Sequence, residues 1–281
     1  MRGGAKKGWR WRVADSAQSQ RLNLLYEPGN WGDVLKGLWA VRVAASVCKM
    51  LKDKSPLVYL DPFAGAPTYP LVESASRRLE GPGMDDFRDL QAPYASRGLM
   101  ASTAMLVRDA ALRSGRQCEL EVFDSDASRL HAWKEVTGVK VLEVPSGEDC
   151  LEEDALRRHA PDFLLVDPYD FFVKWTFFLP RALRAAEKCT VLAYLYNRSP
   201  RGPGQQQMYE DFRKALDEGL GTSRGFLLGR IPADPAVARA YHEVLLLGPR
   251  QDISKLGDEL AGPTRALARA LADLGSFEKS G

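Results

Sequence analysis

Short apolar runs alternate along the chain with longer stretches in which apolar residues recur every three or four positions. The runs cover residues 57–60, 120–123, 139–144, 163–166, 190–195, 225–231 and 241–247. Short apolar runs of this kind predict strands. The stretches between them, in which apolar residues recur every three or four positions, predict helices. The alternation indicates βαβ units around a mostly parallel sheet, in which the continuous apolar strands are buried on both faces.

The last two runs predict a different connection. Only nine residues separate 225–231 from 241–247. A crossover between parallel strands needs a dozen residues or more, so we expect this pair to be antiparallel at one edge of the sheet. The fold class predicted is therefore α/β and Rossmann-like, with a mostly parallel sheet of seven strands.

Four stretches complete the predicted organisation. Residues 33–53 carry apolar side chains at helical spacing, with Asp33 as the expected cap. Residues 66–117, between the first two core strands, are predicted to form an inserted helical subdomain, with a second helix around residues 99–112. Residues 1–20 are expected to be a flexible basic and aromatic arm, and residues 274–281 a polar tail. One domain, residues 21–273, would hold the function.

The composition excludes several classes of protein. The 281 residues are 45% hydrophobic and 27% charged, with a net charge of +2. A chain of this length can fold around its own core without disulfides or metals. The four cysteines and three histidines are scattered, without the spacing of a redox pair or a zinc site. No apolar run approaches the length of a membrane span. We expect a cytoplasmic monomer that binds neither metal nor membrane.

Polar or small residues follow each of the first three core strands. In open α/β sheets the ligand lies outside the carboxyl ends of the strands. Asp61 ends the first strand, and Ala64-Gly65 behind it is small enough for a ligand to approach the backbone. This loop lacks the GxGxxG pattern of dinucleotide sites. After the second strand, a carboxylate of Asp124-Ser125-Asp126 can accept ribose hydroxyls, whereas Asp124 or Asp126 can instead cap a helix. After the third strand, Gly147-Glu148-Asp149 could form a hydrogen bond with an adenine amine.

The fourth strand is followed by Asp167-Pro168-Tyr169-Asp170-Phe171-Phe172. A carboxylate, a stiffening proline and aromatic rings at a strand end predict a pocket for a flat substrate, such as a base removed from its stack. The aromatic residues have a second interpretation, as the start of a buried helix. We expect Tyr169 to face the pocket, and Phe171 or Phe172 to be buried.

The predicted arm alternates cations with indole rings over residues 6–12, Lys-Lys-Gly-Trp-Arg-Trp-Arg. Arg10 and Arg12 can pair with phosphates while the tryptophans stack on unpaired bases, so this segment is a candidate RNA contact. The alternative is a strand whose tryptophans pack on the domain.

Three motifs in order give the chain a resemblance to a known family. They are Gly-Asn-x-x-Asp-Val-Leu-Lys at residues 29–36, Leu-Asp-Pro-Phe-Ala-Gly at 60–65 and Leu-Val-Asp-Pro-Tyr at 165–169. The chain resembles the bacterial family that methylates the exocyclic N6 amine of one adenine in large-subunit ribosomal RNA. In that family the catalytic motif is Asp-Pro-Pro-Tyr, so the aromatic residue here comes one position earlier.

The resemblance implies a class I methyltransferase that uses S-adenosylmethionine and binds RNA. It implies cofactor contacts from Lys36, Asp61, Phe63, Ala64, Gly65, Asp124 and Asp149. It implies that Asp167 and the Pro168 carbonyl accept hydrogen bonds from the target amine while Tyr169 stacks on the base. Asn30, Tyr169, Arg10 and Arg12 would contact the substrate.

Two other functions stay open on the sequence alone. One is a small-molecule methyltransferase in which residues 66–117 form a lid. The other is a catalytically silent homologue that binds the cofactor or RNA.

Overall fold

The computed structural model describes residues 29–52, 55–79, 84–168, 171–197, 203–232, 241–270 and 276–279. The strands are β1 Leu57–Asp61, β2 Thr68–Pro70, β3 Leu99–Ala101, β4 Cys118–Val122, β5 Val139–Val141, β6 Phe163–Val166, β7 Thr190–Asn197, β8 Arg224–Pro232, β9 Tyr241–Pro249 and β10 Ser276–Lys279. The helices are α1 Trp31–Met50, α2 Glu73–Leu79, α3 Asp85–Ala95, α4 Thr103–Arg113, α5 Ala127–Lys134, α6 Glu153–His159, α7 Trp175–Ala185, α8 Pro203–Leu220 and α9 Arg250–Ala270. A 3₁₀ turn spans Gly147–Leu151.

The main sheet has the order β10-β8-β9-β7-β6-β1-β4-β5. Strands β5, β4, β1, β6 and β7 are parallel neighbours. The chain builds from β1 through β4 to β5 on one side and then returns to place β6 and β7 on the other. The order therefore reverses between β1 and β6, which is the point where open α/β sheets bind their ligands.

The predicted strands and the antiparallel closing pair are confirmed. Strand β9 runs antiparallel to both β7 and β8. The structure adds an eighth strand, because β10 pairs antiparallel with β8 in the stretch predicted to be a polar tail. A four-residue strand at a sheet edge has too little apolar patterning to be found from sequence.

The inserted subdomain is less helical than predicted. Helices α2 and α3 lie between β2 and β3, which pair antiparallel as a separate two-stranded sheet. Leu99–Ala101, expected to begin a helix, forms β3 and leads into α4. Pairing with Thr68–Pro70 overrides the local helical pattern, an interaction that only the folded chain supplies.

Helix α1 is buried on almost all of its surface, as expected of a helix that is apolar all round. It lies in the same core cluster as β1, α4 and α9, whereas α7 and α8 pack with the opposite face of the sheet. Trp39 anchors it by donating from its indole Nε1 to Thr264 Oγ1 of α9 at 2.9 Å. Lys36 lies on this buried helix and is therefore held inside the protein.

Candidate active site at the carboxyl ends of β1 and β6

The first turn of α1 explains the Gly-Asn-x-x-Asp pattern. Asn30 is the N-cap, and its side-chain oxygen accepts from the backbone N–H of Gly32 at 2.8 Å and of Asp33 at 3.1 Å. Asp33 Oδ2 accepts in turn from Gly29 N at 3.0 Å. The expectation that Asp33 caps the helix is corrected: Asn30 is the cap, and Asp33 in the first turn binds the residue before the cap. Asn30 was predicted to contact the substrate. In the structure its side chain caps the helix.

Lys36 lies one turn into the helix and joins it to the end of β6. Its ammonium is ion-paired with Asp167 Oδ2, and it reaches Asp33 Oδ1 at 3.3 Å. Only 8% of Lys36 is exposed. Burial alone would lower the pKa of Lys36, but Asp167 and Asp33 raise it above its ordinary value. Lys36 is therefore a permanent cation inside the crevice.

Asp167 presents its second carboxylate oxygen differently. Among the described residues, no donor forms a hydrogen bond with Oδ1, while the side chain keeps 16% of its surface exposed. Burial raises the pKa of Asp167, and Lys36 lowers it, leaving it above its ordinary value. Asp167 is thus fixed by one oxygen and able to accept a donor at the other.

Asp61 ends β1 beside this pair. It is 1% exposed, and it accepts from Phe63 N at 3.1 Å and from the Tyr59 hydroxyl at 3.3 Å. Burial, and then the charge of Asp167, raise the pKa of Asp61 to about 7, despite the lowering effect of Phe63 N and Lys36. The two carboxylates and Lys36 form one electrostatic unit at the point where the strand order reverses.

Asp61 makes stability depend on pH in a testable way. A carboxyl whose pKa is raised on folding stabilises the fold below its unfolded pKa, and that contribution is lost as pH rises through about 7. We therefore compare the free energies of unfolding of Asp61→Asn and the natural chain. Their difference should shift in favour of Asp61→Asn by roughly 2–3 kcal/mol from pH 5 to pH 8. Urea unfolding at both pH values measures this. A difference that stays constant with pH would contradict it.

The loop after β1 is shaped by a glycine. Gly65 has φ +65°, and a Cβ there would lie 2.1 Å from the Tyr69 hydroxyl oxygen. That hydroxyl accepts from Ala66 N at 2.8 Å, and the Gly65 carbonyl accepts from Trp133 Nε1 at 2.8 Å. The small residue at this position therefore makes room for the Tyr69 hydroxyl, and the approach of a ligand to Ala64-Gly65 stays a prediction.

Asp124 lies directly beside this loop. Its Oδ2 accepts from Gly65 N at 2.9 Å and its Oδ1 from Asp126 N at 2.8 Å, while Arg129 Nη1 lies 3.4 Å away. Asp126, not Asp124, caps α5. Asp124 thus joins the loop after β4 to the loop after β1.

The loop after β5 also reaches the loop after β1. A Cβ on Gly147 would lie 2.3 Å from the Pro62 carbonyl oxygen. Asp149 is exposed in the 3₁₀ turn and accepts from Ser146 Oγ at 2.7 Å. Phe63 is partly buried and meets Phe178 edge to face, with ring centroids 6.0 Å apart. The residues expected to hold a cofactor therefore line one continuous edge of the sheet.

The segment after Asp167 is only partly described. The Pro168 carbonyl, predicted to face the target amine, accepts from Phe171 N at 3.3 Å. Phe171 and Phe172 are both buried, as expected for at least one of them, but they lie in a turn, and the next helix begins only at Trp175. Tyr169, Arg10 and Arg12 lie outside the described residues.

Three residues of this region were not anticipated. Tyr69 covers the β1 loop, and Tyr194 and His242 lie where β7 and β9 meet α1. Tyr194 follows an apolar run in β7, and His242 stands beside Glu243 at the start of β9. A polar ring in a buried strand needs a partner, which is the one signal that could have found them.

No family model matches the chain, and neither does the sequence of any curated protein. The crystal structure of protein LPL1258 from Legionella pneumophila, of the family model DUF519, is similar with a TM-score of 0.65 at 14% identity, covering 91% of this chain and 98% of that one. A probable spermidine synthase from Corynebacterium glutamicum has a TM-score of 0.45 at 14% identity, covering 85% of this chain and 77% of its own. The second likeness is too distant to support a conclusion.

The strand order and its flanking helices define the class: the chain has a Rossmann-like class I methyltransferase fold. The Legionella protein shares this fold over nearly its whole length. In the part of the chain that the structure describes, no group of three or more potential ligands could hold a metal ion. No helix within the same residues is both long and apolar enough to span a bilayer.

Proposed function

We propose that this protein is an S-adenosylmethionine-dependent methyltransferase that modifies an exocyclic base amine, adenine N6, in ribosomal RNA. One observation supports this most directly. Asp167 stands at the end of β6, held by the buried cation Lys36 and adjoining the β1 loop that would receive the cofactor. The cytoplasm, where this cofactor and ribosomal RNA occur together, is the expected location.

The residues around the β1 loop fit the cofactor. Asp124 lies in the loop after β4, where a ribose would bind, and it holds the β1 loop by accepting from Gly65 N. Lys36 stands among the three carboxyl groups of Asp33, Asp61 and Asp167, and the negative charge that they carry in excess of the one cation would favour a bound sulfonium. Phe63, Ala64 and Asp149 would complete the contacts.

When bound, the cofactor supplies an electrophilic methyl group. Asp167 Oδ1 would accept a hydrogen bond from the adenine amine, whose lone pair is delocalised into the ring. Holding that proton lets the nitrogen become pyramidal and turn its lone pair towards the methyl carbon. Because burial raises its pKa, Asp167 is also a suitable acceptor for the proton that the amine releases.

Lys36 and the neighbouring loops would supply alignment. An ion pair that fixes Asp167 Oδ2 leaves Oδ1 in one orientation, and correct orientation of the reacting groups is worth several kcal/mol. Tyr169 would stack on the base, and Arg10, Arg12 and Asn30 would contact the RNA.

The first experiment has two steps. We expect calorimetric titration to show binding of S-adenosylmethionine, and a tritiated-methyl assay on total RNA to put label into ribosomal RNA. Nuclease digestion and chromatography should then identify the labelled nucleoside as N6-methyladenosine. The unmethylated substrate is ribosomal RNA from cells that lack the protein.

Each other outcome points elsewhere. Binding without label in RNA contradicts the RNA target and points to a small-molecule substrate or a silent homologue. Label in a guanine amine would keep the reaction and change the base. No binding at all would refute the proposal.

A further inference from the structure

We infer that Tyr194 is a positioning residue of this site: its ring supports the Lys36 ammonium against Asp167, and His242 holds the ring in place. The catalytic meaning of this arrangement depends on the proposed function. The arrangement itself does not, so the two can be tested separately.

Tyr194 lies along one face of α1. Gly32 and Lys36 are four residues apart, so they lie on the same side of the helix. A Cβ on Gly32 would lie 1.9 Å from the Tyr194 hydroxyl oxygen, and Lys36 Nζ lies 5.3 Å from the centre of the Tyr194 ring. The hydroxyl end therefore meets the helix backbone, and the ring face meets the ammonium.

His242 orients this ring from the neighbouring strand. The Tyr194 hydroxyl and His242 Nδ1 are 2.6 Å apart, and the two rings are 23° from parallel. His242 is 7% exposed, and burial lowers its pKa to about 4. The imidazole is therefore neutral at physiological pH, and its Nδ1 can accept the hydroxyl proton.

The Tyr194 ring stabilises the buried charge of Lys36. A buried ammonium must be surrounded by negative charge or dipole, and Asp33 and Asp167 occupy two directions around it. The face of an aromatic ring carries negative potential and binds a desolvated cation without adding a further carboxylate. Tyr194 thereby sets the position of the Lys36 ammonium, and this position determines which carboxylate oxygen of Asp167 pairs with the ammonium.

The test measures how accessible Lys36 becomes. The full-length chain is labelled briefly with acetic anhydride, and mass spectrometry gives the acetylation rate of the peptide containing Lys36. We expect Tyr194→Leu to raise this rate about tenfold, because a desolvated cation–π contact is lost. Tyr241→Leu is the matched control: Tyr241 stands at the same end of the sheet, but its ring meets Arg230 at 4.8 Å.

Two variants of His242 distinguish its specific hydrogen bond to Tyr194 from a general loss of packing around Lys36. His242→Asn retains a hydrogen-bond acceptor near the position of Nδ1 and should leave the Lys36 labelling rate near that of the natural chain. His242→Leu should raise it. If circular dichroism shows that Tyr194→Leu does not fold, Tyr194→Phe, which loses only the hydroxyl, should give a rise similar to that of His242→Leu.

An unchanged Lys36 rate in a folded Tyr194 variant would overturn the inference, as would an equal rise in Tyr241→Leu. Labelling uses neither cofactor nor RNA, so it remains decisive if the chain methylates nothing. Where the natural chain is active, we expect Tyr194→Leu to lower kcat about tenfold.

Discussion

Asp167→Asn is expected to lower the rate of methyl transfer to RNA by roughly a hundredfold to a thousandfold. The amide is almost the same size as the carboxylate, and its oxygen can still accept from Lys36. Its NH₂ group would then stand where Oδ1 stood and present a donor to an amine that also needs an acceptor. The measurement is single-turnover transfer of a tritiated methyl group to ribosomal RNA.

The matched control for this variant is Asp162→Asn. Asp162 precedes the same strand, at its opposite end, and accepts from Val58 N at 2.9 Å. It should keep full activity, since it lies away from the crevice. Full activity in Asp167→Asn would remove Asp167 from the mechanism. Equal losses in both variants would mean that strand β6, rather than the carboxylate, had been disturbed.

Lys36→Met is expected to destabilise the fold by about 3–5 kcal/mol at pH 8 and to abolish methyl transfer. The substitution leaves Asp33, Asp61 and Asp167 close together without their shared cation. Their carboxyl pKa values must rise, so the loss of stability should shrink as pH falls and the acids are protonated. Urea unfolding at pH 5 and pH 8 measures both the size and the pH dependence.

Lys140→Met tests whether any ion pair would behave this way. Lys140 pairs with the buried Glu121 at 2.6 Å, but its own side chain is 62% exposed. Because water already solvates that ammonium, we expect a loss of less than about 1 kcal/mol with little pH dependence. A loss for Lys36→Met as small as that of the control would show that the cation is not needed to hold the acids together.

Asn30 and Lys36 show which features of the site a local sequence pattern can predict and which it cannot. The spacing from Gly29 to Lys36 marked a special segment, and the structure supports a reason for four of its positions: a left-handed glycine, a cap, an acid that accepts from the glycine N–H and a cation one turn later. Local chemistry of this kind can be read from neighbouring residues. That Lys36 pairs with Asp167, 131 positions away, could not be read in this way.

By itself the sequence determined the alternation of strands and helices, the antiparallel closing pair and the carboxylates after the strands, because these follow from periodicity and loop length. The tertiary structure alone decided that β10 joins the sheet, that β3 replaces the start of a helix, and that Tyr194 and His242 flank Lys36. Each of these depends on contacts between residues far apart in the chain. Burial then shifts the pKa of Asp61 and Asp167, since desolvation and neighbouring charge exist only once the chain has folded.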